Sequence, residues 1–232
     1  MFMEVPPSYD LVNRLLTFRM DQVWRAGAVR SLLKTDDAGK KDGHRILDLC
    51  TGTGDLAIRL AARKKRADSV TALDFSKPML ELAKKKADSR GLKDIEFVHG
   101  DAASMPFEDS FFDAVGIAFA LRNLTYKNPD RDRFLSEITR VLKPGGKFVA
   151  VETSQPENIF LRKAFHLYMR YFTAPAGSLL SGHRGAYRYL AYSAADYYNA
   201  ARLKEILLSA GFSKVNYKLL FNGIAARWEC IR

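Results

Sequence analysis

An apolar run that opens into a glycine turn is the first feature of the chain that could carry chemistry. Residues 46–55 read Ile-Leu-Asp-Leu-Cys-Thr-Gly-Thr-Gly-Asp, which predicts a buried strand, a turn containing Gly52 and Gly54, and a helix that begins near Asp55. Glycine lets the backbone pass close to a ligand and adopt a positive φ without a Cβ clash. The pattern favours a nucleotide-binding strand–turn–helix, although a Gly-Thr-Gly turn alone is weak evidence.

Two further acidic residues strengthen this interpretation. Asp74 ends the second predicted strand, 20 residues after Gly54, where its carboxylate could accept hydrogen bonds from both hydroxyls of a ribose. Asp101 follows the third predicted strand and, with Ala102, is well placed for the edge of an adenine. Asp74 could instead cap the next helix, but Ser76 already occupies the cap position. The sequence therefore predicts a cofactor that contains adenosine.

The charge of the turn distinguishes between adenosine cofactors. Dinucleotide-binding turns place a pyrophosphate at the N-terminus of a helix. Asp48 and Asp55 would put negative charge near such phosphates, so a cationic ligand fits better, and S-adenosylmethionine carries a sulfonium and an ammonium group. Asp55 also has a structural explanation, because the helix macrodipole favours an acid in the first turn. An NAD-dependent dehydrogenase is the weaker alternative, and no metal site is expected.

Strand-like apolar runs alternate with helical patterns from about residue 44 to 152, which predicts an α/β fold with a doubly wound, mostly parallel sheet of seven strands. The predicted strands are residues 45–49, 69–73, 95–99, 114–119, 147–151, 214–220 and 224–231. The last two are expected to form an antiparallel pair at a sheet edge. Pro144-Gly145-Gly146 is expected to stop the helix before the fifth strand, and a helix is predicted at 194–209.

A single domain is expected over residues 1–232, in four segments. These are an N-terminal helical cap (8–33), the cofactor-binding core (44–152), an aromatic-rich insertion (155–192), and a C-terminal helix with the edge strands (194–232).

The chain of 232 residues has a formal net charge of +11, from 37 Lys and Arg against 26 Asp and Glu. Such an excess suits an acidic partner, but solubility is the more ordinary explanation, with weak attraction to a membrane surface second. The triple Lys84-Lys85-Lys86 falls on an outer helix face, where solvated charge is usual. The two cysteines lack metal-site spacing, no apolar run could span a bilayer, and the N-terminus has no secretory pattern, so a cytoplasmic location is expected.

Several longer motifs, spread over nearly the whole chain, point to one enzyme family. They are residues 140–148 with Glu152-Thr153-Ser154, residues 119–124, Met105-Pro106-Phe107, Ala210-Gly211-Phe212 and residues 223–226. The chain thereby resembles the ubiquinone/menaquinone biosynthesis C-methyltransferases, which are class I S-adenosylmethionine-dependent enzymes with a Rossmann-like methyltransferase fold. It departs from the family pattern at Ala120, where glycine is usual, and at Arg19 and Asp21, where glycine and histidine precede the tryptophan.

The resemblance implies methyl transfer from S-adenosylmethionine, with S-adenosylhomocysteine as the product, to a ring carbon of a prenylated hydroquinone such as demethylmenaquinol. The residues expected at the cofactor are Asp48, Gly52, Thr53, Gly54, Asp74, Phe75, Met79, Asp101, Ala102 and Ala118. At Ala118 a serine is common in the family. Weak association with a membrane surface and a homodimer are left open, and no nucleic-acid partner is expected.

A carbon acceptor needs activation as well as positioning. A hydroquinone ring carbon becomes nucleophilic when a ring hydroxyl loses its proton, and the phenolate then needs stabilisation. Arg122 is predicted to stabilise the phenolate and Asn123 to orient a ring oxygen, because both follow the carboxyl end of the fourth strand. The alternative is that Arg122 forms a structural ion pair with Glu152 or Asp10.

No residue is an obvious general base at neutral pH. Within the insertion His183 is favoured over His166 as a proton acceptor, and Tyr9 and Tyr187 are candidate hydroxyl contacts. The aromatic residues of the insertion suit an acceptor pocket and a mobile lid, but their spacing equally suits ordinary core packing.

Other functions stay open at this point. An O- or N-methyltransferase of another small molecule would share the fold and the cofactor turn, and a non-catalytic S-adenosylmethionine-binding protein is an alternative from another class. A nucleic-acid methyltransferase is disfavoured. Enzymes that methylate base amino groups resemble one another in an Asn/Asp-Pro-Pro-Tyr/Phe element where this chain has residues 120–123, and neither cysteine lies there for cytosine chemistry.

Overall fold

The computed structural model describes residues 9–34, 43–66, 68–173, 175–176 and 184–232. The strands of this part of the chain are β1 (Arg45–Leu49), β2 (Ser69–Asp74), β3 (Ile95–His99), β4 (Phe112–Ala118), β5 (Leu142–Thr153), β6 (Lys214–Leu220) and β7 (Ala225–Ile231). They form one sheet in the order β3-β2-β1-β4-β5-β7-β6. β1 to β5 pair in parallel, and β7 runs antiparallel between β5 and β6. The predicted sheet, with its antiparallel pair at one edge, is confirmed.

Helices cover both faces of the sheet. The described helices are α1 (Tyr9–Leu16), α2 (Met20–Leu32), α3 (Asp55–Ala61), α4 (Lys77–Asp88), α5 (Leu121–Thr125), α6 (Arg131–Val141), α7 (Ile159–Tyr168), α8 (Arg184–Ala195) and α9 (Ala200–Ser209), with a π-helical turn at Met169–Thr173. α2 and α3 pack on one face, and α6 and α9 pack on the other. Successive side chains of a strand point to opposite faces of the sheet, and helices cover both faces of this sheet. Ile46 and Leu47 therefore point to opposite faces and are both buried.

Two expected boundaries around the fourth and fifth strands are wrong. α6 ends at Val141, and Pro144-Gly145-Gly146 lie within the first part of β5 instead of stopping the helix. The pairing of β5 with β4 shifts register there, so these residues form a bulge, in which Gly145 has a φ of 74°. β4 ends at Ala118, because Phe119 has a φ of 62°, which no strand accommodates.

The helix predicted at 194–209 also begins later than expected. Ala195 ends α8, and α9 begins at Ala200. Asn199 sets this start, since its side chain accepts a hydrogen bond from the Arg202 backbone N–H at 2.8 Å.

The helical cap and the insertion meet beside the sheet. The Tyr168 hydroxyl donates a hydrogen bond to the Leu16 carbonyl at the end of α1, at 2.7 Å. Phe165, Met169, Ala191 and Ala194 form a small separate core between α7, the π-helical turn and α8. Among the described residues, none of the helices has the length and apolar character needed to cross a membrane.

Candidate active site

The turn after β1 is organised by a buried carboxylate. Asp48 lies within β1, where its Oδ2 accepts hydrogen bonds from the Thr51 hydroxyl at 2.5 Å and the Ala57 backbone N–H at 2.8 Å. Burial raises the pKa of Asp48 to about 7. Asp48 is 1% exposed, so it acts on the turn and on the start of α3, and any effect on a ligand passes through them.

The two glycines of the turn have different reasons to be glycine. Both have a positive φ, 56° at Gly52 and 80° at Gly54. A Cβ on Gly54 would come within 2.9 Å of the Ala83 Cβ, so this glycine lets α4 pack against the turn. A Cβ on Gly52 would meet nothing within 4 Å, so the backbone there borders open space at the carboxyl end of the sheet.

Asp74 joins this turn to the end of β2. Its Oδ2 accepts a hydrogen bond from the Gly52 backbone N–H at 2.7 Å, and its Oδ1 accepts one from the Ser76 N–H at 2.8 Å. Ser76 is the N-cap of α4, accepting from the Met79 N–H, as predicted. Burial raises the pKa of Asp74, against these hydrogen bonds to its charged form.

The remaining predicted cofactor residues surround the same edge of the sheet. Asp101 is exposed and accepts a hydrogen bond from the Ala103 N–H at 2.8 Å, and Ala102 beside it is buried. Met79 is buried, whereas Phe75 is largely exposed at the end of β2, next to the His99 ring.

Acidic groups dominate the electrostatics of this edge. Burial raises the pKa of the Cys50 thiol, and the neighbouring carboxylates Asp74, Asp48 and Asp101 raise it further. Asp74 and Asp101, together with Asp48 in its ionised form, therefore act on one point of the turn. Such a field stabilises a cationic ligand and opposes an anionic one.

A network of ion pairs fastens α1 to the turn, and sequence patterns did not predict it. Lys86 of α4 contacts Asp10 at 2.5 Å and Asp55 at 2.7 Å, and it donates to the Thr53 carbonyl at 3.1 Å. The Thr53 hydroxyl donates to Asp10 Oδ1 at 2.7 Å. Burial opposes ionisation of Asp55, yet Lys86 and Arg25 lower its pKa to about 2.

The solvated position expected for Lys86 is therefore wrong, while Lys84 and Lys85 are exposed. One signal was present in the sequence. Met79, Ala83 and Ala87 form the buried stripe of α4, and Lys86 borders that stripe at helical spacing.

Arg122 lies in a buried polar cluster at the carboxyl ends of β4 and β5. It is 3% exposed and Glu152 is 0% exposed, and Arg122 Nε lies 3.7 Å from Glu152 Oε1. The Arg122 guanidinium also donates to the Ser193 hydroxyl of α8. These contacts are those of the structural alternative with Glu152. They also bring α8 over this end of the sheet.

The Asn123 side-chain Oδ1 is buried without a hydrogen-bond partner among the described residues, as is the Nε of Arg122 beside it. A buried acceptor without a donor is costly, so it marks a place where a ligand hydroxyl would be stabilising. Ala118 ends β4 and is half-buried. His183 lies outside the described residues, as do the side chains of Tyr9 and Tyr187. Elsewhere, in the residues that are described, no cluster of His, Cys, Asp and Glu could hold a metal ion.

Comparisons with known proteins agree with this arrangement. The model of the "ubiE/COQ5 methyltransferase family" matches residues 1–232. A demethylmenaquinone methyltransferase from Thermus thermophilus is 44% identical over 226 residues, which is 97% of each chain. One from Oceanobacillus iheyensis is 38% identical, over 97% of this chain and 90% of that protein. The crystal structure of a SAM-dependent methyltransferase from Aquifex aeolicus shares the fold, with a TM-score of 0.58, 20% identity, and coverage of 87% of this chain and 90% of that one.

The family model spans the whole chain, and both relatives exceed 30% identity over nearly all of it. The predicted fold class and the resemblance inferred from the motifs are confirmed. The enzyme class is confirmed with them, as a methyltransferase that uses S-adenosylmethionine. The chain belongs to the ubiE/COQ5 methyltransferase family.

Proposed function

We propose that the enzyme transfers the methyl group of S-adenosylmethionine to a ring carbon of demethylmenaquinol and releases S-adenosylhomocysteine. The observation that carries the proposal is the similarity to demethylmenaquinone methyltransferases over almost the full length of both chains. Similarity of this extent includes the acceptor side of the molecule as well as the cofactor turn.

The residues at the carboxyl end of the sheet fit S-adenosylmethionine. When bound, this cofactor supplies an electrophilic methyl group on a positively charged sulfur. The open space beside Gly52 accommodates a ligand next to the backbone, and the carboxylates around Cys50 favour a positive charge. We assign Gly52, Thr53 and Gly54 to the turn along the methionine part, with Asp48 holding that turn in place.

The adenosine part is assigned to the ends of the next strands. Asp74 would accept hydrogen bonds from the ribose hydroxyls, and Asp101 and Ala102 would contact the adenine edge. Phe75 and Met79 would pack against the ring, and Ala118 would border the methyl group. Asp74 already holds two backbone N–H groups, so its carboxylate is oriented before the cofactor binds.

On the acceptor side, Asn123 would accept a hydrogen bond from a ring hydroxyl, which gives its buried Oδ1 the donor it lacks. Stabilisation of the phenolate by Arg122 stays a prediction. Because the guanidinium lies against Glu152 and Ser193, it is oriented by them, and its positive charge acts over a short distance through a poorly hydrated region. A homodimer and weak association with a membrane surface also stay predictions.

The test is incubation with S-adenosylmethionine carrying a labelled methyl group and a reduced short-chain demethylmenaquinone, with the product analysed by mass spectrometry. A label on the ring carbon supports the proposal. A label on oxygen, or none, contradicts it. Asp74→Asn should raise the KM for S-adenosylmethionine about tenfold through the loss of charged hydrogen bonds. Asp109→Asn, which changes an exposed carboxylate paired with Arg140, is the matched control and should leave that KM unchanged.

A further inference from the structure

α7 and the π-helical turn after it carry large apolar side chains on the face that points to solvent. Their inner face, with Phe165, Met169 and Thr173, is buried. Their outer face presents Phe160, Lys163, Leu167, Arg170 and Tyr171, all exposed. A surface helix normally turns a polar face outward. Here the outer face alternates large apolar and basic side chains.

α1 and the turn after it add a second exposed apolar stripe. Leu11, Leu15 and Phe18 are spaced by four and three residues, so they lie on one side of the helix and the turn that follows. The exposed fractions of these three side chains and of Phe160, Leu167 and Tyr171 lie between 54% and 79%. Contiguous exposed apolar surface of this kind marks an interaction site.

Tyr168 joins the two stripes into one surface. Its hydroxyl is bonded to Leu16 at the end of α1, and its ring lies 6.1 Å from that of Phe18. On its other side it stacks on Phe172, with ring centroids 5.1 Å apart. We call this continuous surface, made of the exposed side chains of residues 11–18 and 160–172, the apolar-basic face.

Basic residues predominate on α7 and the π-helical turn. Residues 158–173 contain Arg162, Lys163 and Arg170 and no Asp or Glu. The Arg170 guanidinium lies over the Tyr171 ring, 5.6 Å from its centroid. Long basic side chains that lie along apolar surface with their charge held outward are typical of helices at the interface of an anionic bilayer.

We propose that the apolar-basic face docks on the surface of an anionic lipid bilayer. A second copy of the chain fits less well, because a two-fold contact through this face would bring the same excess of positive charge together from both sides. The inference rests on the proposed function for its purpose, since a prenylated quinol is dissolved in the bilayer. α8, which packs against α7 and the π-helical turn, also contacts Arg122 through Ser193, so docking would bring the acceptor's source next to the candidate site.

The test is sedimentation of the full chain with vesicles of phosphatidylcholine alone and of phosphatidylcholine with about 30 mol% phosphatidylglycerol, whose negative charge gives the surface a negative potential. The variant Leu15→Ser/Leu167→Ser removes one side chain from each stripe. The matched control is Leu208→Ser/Leu219→Ser, which changes two leucines of α9 and β6 that are 41% and 38% exposed outside the face. The thermal midpoint and the affinity for S-adenosylhomocysteine report whether each variant is folded.

We expect binding to the anionic vesicles only, a loss of roughly tenfold in the partition coefficient for Leu15→Ser/Leu167→Ser, and wild-type binding for the control. Lys163→Glu should also weaken binding, and added salt should weaken it further. Three outcomes would each overturn the proposal. The first is equal binding by both double variants, and the second is binding to vesicles without anionic lipid. The third is no vesicle binding together with a change of oligomeric state in Leu15→Ser/Leu167→Ser. Methyl transfer to a short-chain acceptor in the absence of vesicles tests the proposed function separately.

Discussion

Replacing Arg122 by methionine separates the two roles that this residue could have. Methionine keeps most of the length of the side chain and removes its charge. The change leaves the Glu152 carboxylate buried without its cationic neighbour. Glu152 keeps hydrogen bonds from the Arg122 backbone N–H at 3.0 Å and from the Thr153 N–H and hydroxyl at 2.8 and 2.9 Å.

The expected loss of stability follows from that environment. Breaking a buried ion pair by removing one partner costs about 3–5 kcal/mol, and the three remaining hydrogen bonds place Arg122→Met near the lower end, at about 3 kcal/mol. Replacing both charges leaves no uncompensated buried charge, so Arg122→Met/Glu152→Gln should lose only about 1 kcal/mol. If the guanidinium also stabilises a phenolate, kcat should fall about 100-fold in both variants.

Urea unfolding and methyl transfer to a short-chain quinol measure the two effects separately. A double variant that regains stability but not turnover supports a role in the reaction. A double variant that regains both shows that Arg122 is structural only. A loss of less than about 1 kcal/mol in Arg122→Met would refute the account of the buried pair. Arg202→Met, which breaks an exposed ion pair with Glu205 on α9, is the control and should change neither quantity appreciably.

Two further predictions concern carboxylates near the cofactor turn. Burial raises the pKa of Asp48 from 3.8 to about 7, so the folded state holds the proton of this carboxyl more tightly than the unfolded state does. The free energy of unfolding of the cofactor-free enzyme should therefore fall by up to about 4 kcal/mol as the pH rises from about 4 to 7. Asp48→Asn should flatten that part of the profile, and an unchanged slope in urea unfolding would contradict the assignment. Burial opposes ionisation of Asp55, but Lys86 helps to lower its pKa to about 2. The ionised Asp55 therefore stabilises the fold above about pH 4, and this stabilisation is lost as the pH falls toward 2. Lys86→Met should therefore cost about 1 kcal/mol at pH 7, less at pH 3, and should speed hydrogen exchange in α1, whereas equal losses at the two pH values would contradict this origin.

Local sequence was sufficient for the cofactor side of the fold. The strand, turn and helix around Gly52 follow one another without interruption, and Ser76 caps α4 from within its own first turn. Each of these features depends on residues a few positions apart, which is the range over which hydrophobic period and turn chemistry act. The strands themselves were predicted from such local patterns. Once the sheet is taken as parallel, the carboxyl ends of β1 and β2 are expected to lie side by side.

The positions of α1 and α8 depend on contacts that no local pattern encodes. Lys86 meets Asp10 across 76 residues of sequence, and Arg122 meets Ser193 across 71. The sequence left open whether Arg122 pairs with Glu152 or with Asp10, because choosing between them requires the path of α1 and of the insertion. Both segments lie outside the repeating strand–helix pattern, so their packing could not be read from periodicity.

The net charge also shows that the sequence alone does not determine how the acceptor side interacts with a partner. A total of +11 fits solubility and membrane attraction alike, so it decides nothing by itself. The distribution of the charge is more informative. Lys86 and Arg122 are paired with carboxylates inside the fold and are not available to a bilayer. Lys163 and Arg170 are exposed on α7 and the π-helical turn, which also carry the exposed rings of Phe160 and Tyr171. Charged side chains that are paired inside the fold contribute to its stability. Basic side chains that lie beside exposed apolar surface can bind an anionic bilayer. The vesicle experiment therefore depends on where the charge lies, and a variant that changes the net charge at Lys84 should bind as the wild type does.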